Sequence, residues 1–366
     1  LWNIKEKPHE GWNYSMAPLN VNWHQARYHA MIGTGGIGSG LFFAMTGNHT
    51  LGREESRAVR FMDRRDYCKL HIISFYVKVL LGPDFQTILL GKVGDDSTGH
   101  SLLEEMKQVG LDTRFLQVAP GESTMLSVVF TYPDGSGGNL TPEDSACDRV
   151  DVEFIRQAAP EFTLLRGEGI ALAAPEVPLA ARRALLDLAT ENQFMRVGSF
   201  VSGEIRSALE MGLFNMLDLV ALNIDEAATL MGGSGEECAV SAVSAAEIAH
   251  ATADHFSRHF PGLWLSLTAG KHGSWSWDGS TLAHQPSFPT RLVSTAGAGD
   301  AHIAGIIAGL VGGLNLARAQ ELGSLVAALS VASPHTIAPE VERGALAAFV
   351  QEGGLSLSAE VSAMLF

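Results

Sequence analysis

From about residue 29 onward, short apolar runs alternate with stretches of helical spacing, and this alternation limits the chain to few folds. The runs His29–Ile32, Thr87–Leu90, Ile170–Ala173, Leu217–Leu222 and Leu263–Leu267 are strand-sized and too short for helices. They are apolar throughout rather than at every second residue, as in strands covered on both faces. Helical patterns lie between them, over Gly99–Val109, Pro178–Thr190, Ala239–His259 and Ala301–Val311. Parallel strands need such crossovers, so the pattern predicts an α/β fold: a mainly parallel central sheet with helices on both faces. Two stretches break the alternation, Phe42–Asp66 and Thr124–Asn139. The second reads as a strand, a Pro-Asp-Gly turn and a further strand, the pattern of a hairpin. Together they predict a small sheet covering one edge of the main body. Residues 1–28 carry three Trp and little periodicity, and read as an extension packed on the main domain.

The charge balance narrows the function. Asp plus Glu number 40 against 25 Lys plus Arg, a net charge of −15. Binding to nucleic acid needs clustered cations on phosphates, and a polybasic membrane anchor needs them next to a lipid surface. Neither partner is expected. Cys68, Cys147 and Cys238 are widely spaced and form no CxxC pair, so a disulfide framework or a structural zinc site is not expected. The first residues lack the apolar core of a signal peptide, and a reducing, cytoplasmic setting is expected. Ala301–Ala317 is uncharged but at the short limit for a membrane span, and reads as a buried helix. His255 and His259 are four apart, a metal-compatible spacing, although an exposed helix face gives the same pattern.

The densest chemistry lies in Ser294-Thr-Ala-Gly-Ala-Gly-Asp300. Gly297, Ala298 and Gly299 let a ligand approach the backbone closely. A helix start adds free N–H groups and the positive end of the dipole, which suits a phosphate. Asp300 can take a proton from an attacking hydroxyl, or simply cap the helix. Asn223-Ile-Asp-Glu226 has the spacing of a capping box.

These motifs resemble those of the ribokinase-like (PfkB) family of carbohydrate and nucleoside kinases. GAGD before an apolar helix resembles the family's second signature. Gly91–Gly99 followed by Leu102–Thr113 resembles its GDDxxG…L…GVDT stretch, Asn223–Glu226 its NxxE motif, and Thr268–Gly273 its TLGxxG strand and turn. The matches fall in order between about residues 29 and 335.

The resemblance implies a ribokinase-like three-layer fold over residues 29–366, with a small β lid built from about 40–66 and 120–140. It implies ATP as phosphoryl donor and Mg²⁺ as cofactor. Asp300 would be the catalytic base, and the backbone N–H groups of Ala298, Gly299 and Asp300, in the turn that Gly297 opens, would form the anion hole. Asn223 and Glu226 would organise Mg²⁺ and the triphosphate, with Glu226 nearest the metal, and Thr268, Gly270 and Gly273 would lie along the nucleotide. The acceptor would be a small sugar or sugar derivative, or a nucleoside. Strands of such a lid can pair between copies, which makes a homodimer through the lid a candidate assembly.

The chain departs from the family pattern at several positions. Ser294 stands where the family usually has the Asp of a monovalent-cation site, and His302 stands where an aromatic is usual. Asp66–Ile73 occupies the place of a GGKxxN-like sugar-gripping segment, and Ser39 that of an acceptor-binding Asp after the first strand. Gly35, Ser39, Asn48 and Arg53, with His49 and Glu54 nearby, are the candidate acceptor contacts. Ser333–Pro339 occupies the place of a loop over the nucleotide base or cation site. Two rival readings come from other classes. Gly33–Gly38 fits GxGxxG, with Glu54 or Glu55 near the spacing of a ribose-binding acid, as in a nicotinamide- or flavin-dependent oxidoreductase. A kinase-fold protein without catalysis, sensing a small molecule, would need no base such as Asp300.

Overall fold

The computed structural model describes residues 17–134, 137–232 and 242–366. Cys238, the first residues of the helix expected from Ala239, and Gly135 of the Pro-Asp-Gly turn lie outside the described residues. The strands are β1 (Ala30–Thr34), β2 (Gly38–Met45), β3 (Val59–Tyr67), β4 (Gln86–Gly94), β5 (Asp112–Ala119), β6 (Met125–Thr131), β7 (Gly137–Leu140), β8 (Gly169–Ala173), β9 (Met195–Ser199), β10 (Leu219–Asn223), β11 (Trp264–Thr268), β12 (Ser274–Trp277) and β13 (Leu282–Gln285). The helices are α1 (Lys69–Leu81), α2 (Ser97–Val109), α3 (Val152–Arg156), α4 (Ala159–Leu164), α5 (Leu179–Glu191), α6 (Ile205–Glu210), α7 (Ile224–Leu230), α8 (Ala242–His259), α9 (Ala298–Val311), α10 (Leu316–Ser330), α11 (Arg343–Glu352) and α12 (Ala359–Leu365).

The large sheet has the order β13-β12-β11-β10-β9-β8-β1-β4-β5. It is parallel from β5 across to β11, and β12 and β13 add antiparallel pairs at one edge. Alternate strand residues feed two cores. Met31, Ile170, Leu172, Val197 and Leu219 pack with α1, α2 and α9 to α12. Ala30, Ile32, Ala171, Ala173, Val220 and Leu222 pack on the other face with α3 to α8. Both faces are therefore apolar, which is why these strands read as unbroken apolar runs. Each buried Ile or Leu contributes about 1.5–3 kcal/mol of transfer free energy. The chain leaves β1 in one direction for β4 and β5 and in the other for β8 onward, so the strand order reverses at β1. In open parallel sheets the ligand crevice lies outside the carboxyl ends of the strands at such a point.

α9 is buried along its length from Ala301 to Val311. Gly305 packs so closely on Gly323 of α10 that an added Cβ would lie 2.7 Å from its Cα. The uncharged run is thus a core helix, and no described helix is long and apolar enough to cross a membrane. α9 begins at Ala298, three residues before the expected Ala301, because Gly297 supplies a left-handed turn (φ 77°) that starts the helix inside the motif.

The second sheet has the order β3-β2-β6-β7. β6 and β7 pair antiparallel, with Val128 opposite Leu140, while β2 and β6 run parallel. Residues 46–58 connect β2 to β3 without regular structure. At the amino-terminal side, Leu19 is buried, its N–H donates to Leu80 O, and Trp23 stacks on Phe85 at 6.3 Å.

Candidate active site

A cavity of about 670 Å³ opens over the carboxyl ends of the central strands. Pro175 after β8, Ser199 at the end of β9 with Phe200 after it, Asn223 at the end of β10 and Thr268 at the end of β11 line it. Gly297, Ala298, Gly299 and Asp300 enter from the start of α9, so strands and helix converge on one space.

Asp300 is the third residue of α9, and its side chain does not cap the helix. The capping alternative therefore does not hold. The Ala298 N–H donates to Thr295 O at 3.2 Å, and the Ala301 N–H closes the first helical bond to Gly297 O at 2.9 Å. Of the first turn, only the Gly299 and Asp300 N–H groups remain without a partner among the described residues. Of the three N–H groups expected to face an anion, that of Ala298 is thus spent within the turn, and those of Gly299 and Asp300 are open to a ligand. Ser294 is buried, and its hydroxyl accepts the Ala296 N–H at 3.2 Å, bracing the turn.

Burial raises the Asp300 carboxyl above the usual carboxylate range, and the Lys69 ammonium opposes that rise. Lys69 is the first residue of α1. It is held protonated by Asp300 above all, then by Glu176 and Glu226. Glu176 follows β8 in a left-handed backbone conformation (φ 74°) that non-glycine residues rarely adopt. Its Oε2 accepts the Lys69 N–H at 3.0 Å and so serves the start of α1, where Cys68 makes no side-chain cap. Burial pushes Glu176 up to about 7, with Lys69 acting against it. Gly36 leaves the space this carboxylate fills, since a Cβ there would lie 2.2 Å from Oε2.

At the other end, Asn223 and Glu226 form a reciprocal capping box. Asn223 Oδ1 accepts the Asp225 and Glu226 N–H groups at 2.9 Å each, and Glu226 Oε2 accepts the Asn223 N–H at 2.8 Å. Both residues also line the cavity, so cap and site coincide. Burial pushes Glu226 up to about 7. Thr268, Gly270 and Gly273 line the same wall, and both glycines have positive φ. His302 is buried in the cavity wall with Nε2 3.4 Å from Ser324 Oγ, and burial lowers its pKa to about 4.

The candidate acceptor contacts fall elsewhere. None of Gly35, Ser39, Asn48 and Arg53 lines this cavity. Gly35 is a packing residue, with room for no Cβ between Ala174 and Leu70. Ser39 is paired within β2, opposite Tyr67 and Leu126. Asn48 and Arg53 lie in the 46–58 connection, where Asn48 Oδ1 accepts the Asp134 N–H. The reason is strand pairing, which carries that connection out along the small sheet. Lys69, Glu176 and Asp66 are the charged groups brought to the Asp300 end, and sequence reasoning did not single them out. The available signals were a lone lysine opening an apolar helix and an acid three residues past the end of an apolar strand. GxGxxG does mark a turn after β1, but its glycines serve packing and Glu176 rather than a crossover helix start. The His255 and His259 rings lie 4.4 Å apart at a tilt of 34°, and no group of three or more metal-ligating side chains occurs among the described residues.

Comparison with known proteins bears on the family and the fold. A model of the pfkB family carbohydrate kinases matches residues 74–343. The chain is 44% identical over 63 residues to the sugar kinase YegV of Escherichia coli (strain K12), covering 17% of this chain and 20% of that one. It is 26% identical over 234 residues to a fructokinase of Klebsiella pneumoniae, covering 60% and 70%. The match to YegV thus spans about a fifth of that relative's length. Among solved structures, the ribokinase from Cryptococcus neoformans var. grubii serotype A in complex with ADP superposes with a TM-score of 0.72 at 18% identity, covering 88% of this chain and 99% of that one. The Burkholderia thailandensis nucleoside kinase in complex with inosine gives 0.67 at 19% identity, covering 89% and 98%. With the family model covering most of its length and this fold around the GAGD turn, the chain belongs to the pfkB family of carbohydrate kinases.

Proposed function

We propose that this protein is an ATP-dependent kinase that transfers the γ-phosphoryl of Mg·ATP to a hydroxyl of a sugar or sugar derivative. The supporting observation is Asp300, a carboxyl on the first turn of α9 that is not spent on capping and faces Lys69 across the cavity. In this reading Asp300 accepts the proton of the acceptor hydroxyl as its oxygen bonds to the γ-phosphorus. The bond from that phosphorus to the β–γ bridging oxygen breaks, and ADP departs. The Gly299 and Asp300 N–H groups donate to the oxygens of the transferred group, where charge must be stabilised. Lys69 opposes the effect of burial on Asp300 and so favours the ionised form that receives the proton, and Lys69 with Glu176 behind it marks the acceptor end. Asn223, Glu226, Thr268, Gly270 and Gly273 line the nucleotide end.

Because no described cluster would hold a metal by itself, Mg²⁺ would be bound mainly by the triphosphate and water, with Glu226 as the nearby carboxylate. That suits a cation that keeps several waters, and it would neutralise charge on the phosphates. The small sheet acts as the lid, excluding water when it closes. Its outer face is apolar. Cross-strand partners align Phe43 with Phe61 and Phe130, and Val128 with Leu140. Phe61 is 46% and Leu140 64% exposed, which supports pairing of two copies through this face.

A nucleoside acceptor is the second reading, favoured by the likeness in fold to the nucleoside kinase. ADP release with Mg·ATP across sugars, sugar acids, polyols and nucleosides, with Asp300→Asn alongside, tests both. Turnover that depends on an acceptor and is lost in the variant supports the kinase and names its class. Acceptor-independent binding without turnover supports a sensor instead.

A further inference from the structure

The loop after α10 crosses between the small sheet and the start of α9. Thr336 lies at its centre and is buried. Its hydroxyl accepts the Tyr67 N–H at 3.0 Å and donates to the Asp66 carboxylate, both at the end of β3. Asp66 Oδ2 in turn accepts from Ser127 Oγ of β6 at 2.8 Å. That bond passes over Gly40 of β2, where an added Cβ would lie 2.4 Å from Asp66 Oδ2 and 2.5 Å from Ser127 Oγ. One carboxylate therefore ties β3 to β6 across the intervening β2. On its other side Thr336 covers the anion-binding turn. Its carbonyl oxygen would lie 2.4 Å from a Cβ on Gly297, the residue whose left-handed conformation starts α9. Tyr76 of α1 holds the loop from below, its hydroxyl donating to Thr336 O at 3.5 Å and accepting the Ala338 N–H at 2.8 Å.

We propose that Asp66 and Thr336 are positioning residues that couple the small sheet to the GAGD turn, so that the sheet's position and the geometry of the phosphoryl site change together. The inference rests on the kinase reading above and goes beyond it, since neither residue is assigned contact with a reacting atom. The contacts run without a gap from Ser127 through Asp66 and Thr336 to the backbone of Gly297. A bound anion that orders the turn must then also bias the sheet, because coupling between sites is reciprocal.

Hydrogen exchange on the full chain tests this, with and without the magnesium complex of AMP-PNP, a non-hydrolysable ATP analogue. In the wild type, amides of residues 38–45 and 59–67 are expected to exchange about fivefold or more slowly when the analogue binds, the lower end of ordinary site–site coupling. Thr336→Val removes the hydroxyl at nearly constant shape. It is expected to bind the analogue and lose the slowing, while Thr336→Ser restores it. A purely structural role would lower protection everywhere and would not depend on the analogue. If Thr336→Val does not fold, Asp66→Asn is the second variant, with the same loss expected. Slowing that persists in the variants, or a wild-type small sheet indifferent to the bound analogue, would overturn the inference and leave the kinase reading intact. Failure of the wild type to bind the analogue at all would overturn both.

Discussion

Gly299 separates the demands of the fold from those of a ligand. It is the second residue of α9, and a Cβ added there would meet no protein atom within 4 Å. Within a helix, glycine costs about 0.5–1 kcal/mol relative to alanine. Gly299→Ala should therefore stabilise the free protein by up to about 1 kcal/mol. Unfolding entropy of about 2.1 cal/mol/K per residue converts this to a rise of about 1 °C in Tm for a chain of this length. If the transferred phosphoryl packs on this backbone, however, the new methyl stands in its path. A displacement of about 1 Å at a reacting centre costs about 10²-fold in rate. The expected outcome is a more stable and less active protein. Gly297→Ala gives the contrast. Its φ of 77° disfavours any side chain by about 1–2 kcal/mol, and its Cβ would collide with Thr336 O at 2.4 Å. That variant should lose stability and activity together. Thermal shift and ADP release over a range of ATP concentrations measure both quantities. Wild-type kcat and wild-type KM for ATP in Gly299→Ala would refute the placement of the phosphoryl group.

Three further outcomes are expected. Asp300→Asn should lower kcat by about 10²–10⁴-fold, the usual contribution of a general base, with nucleotide binding retained; acceptor-dependent turnover at the wild-type rate would exclude Asp300 as the base. Burial raises Glu226 from 4.5 to about 7, so its stabilising contribution is complete below pH 4.5 and is lost as pH rises through about 7. Relative to the wild type, Glu226→Gln should therefore gain Tm across that interval and level off above it, and a Tm difference independent of pH would contradict the assignment. Phe61→Glu places a charge on the apolar outer face of the small sheet. Light scattering should show a smaller particle than the wild type, and equal masses would rule out pairing through that face.

Much of the architecture was legible because its causes are local. Apolar runs such as Ile170–Ala173 mark strands covered on both faces, and the burial of every residue of β8 reflects this. The Asn223–Glu226 spacing closes its own hydrogen bonds within one turn, so four residues suffice to specify it. The same holds for GAGD, where a left-handed glycine and a helix start are written in adjacent letters. Even here the sequence pattern puts the start of α9 three residues late, because glycine and alanine at 297–299 read as a turn until the packing of α9 is seen.

The acceptor end had no such local cause. Asp66 and Lys69, Glu176, and Thr336 are common residue types in unremarkable surroundings, in three segments far apart along the chain. Parallel crossovers bring the end of β8 beside the start of α1, and the loop after α10 returns between β3 and α9. Gly35, Ser39, Asn48 and Arg53 looked suitable by position after the first strand, yet pairing within the small sheet carried the last two away from the cavity. Periodicity and caps depend on neighbours within a few residues, so the sequence alone determines the layers of this protein and the glycine turn that starts α9. Which charges face Asp300 depends on the strand order of a sheet assembled from distant segments, and only the tertiary structure decides that.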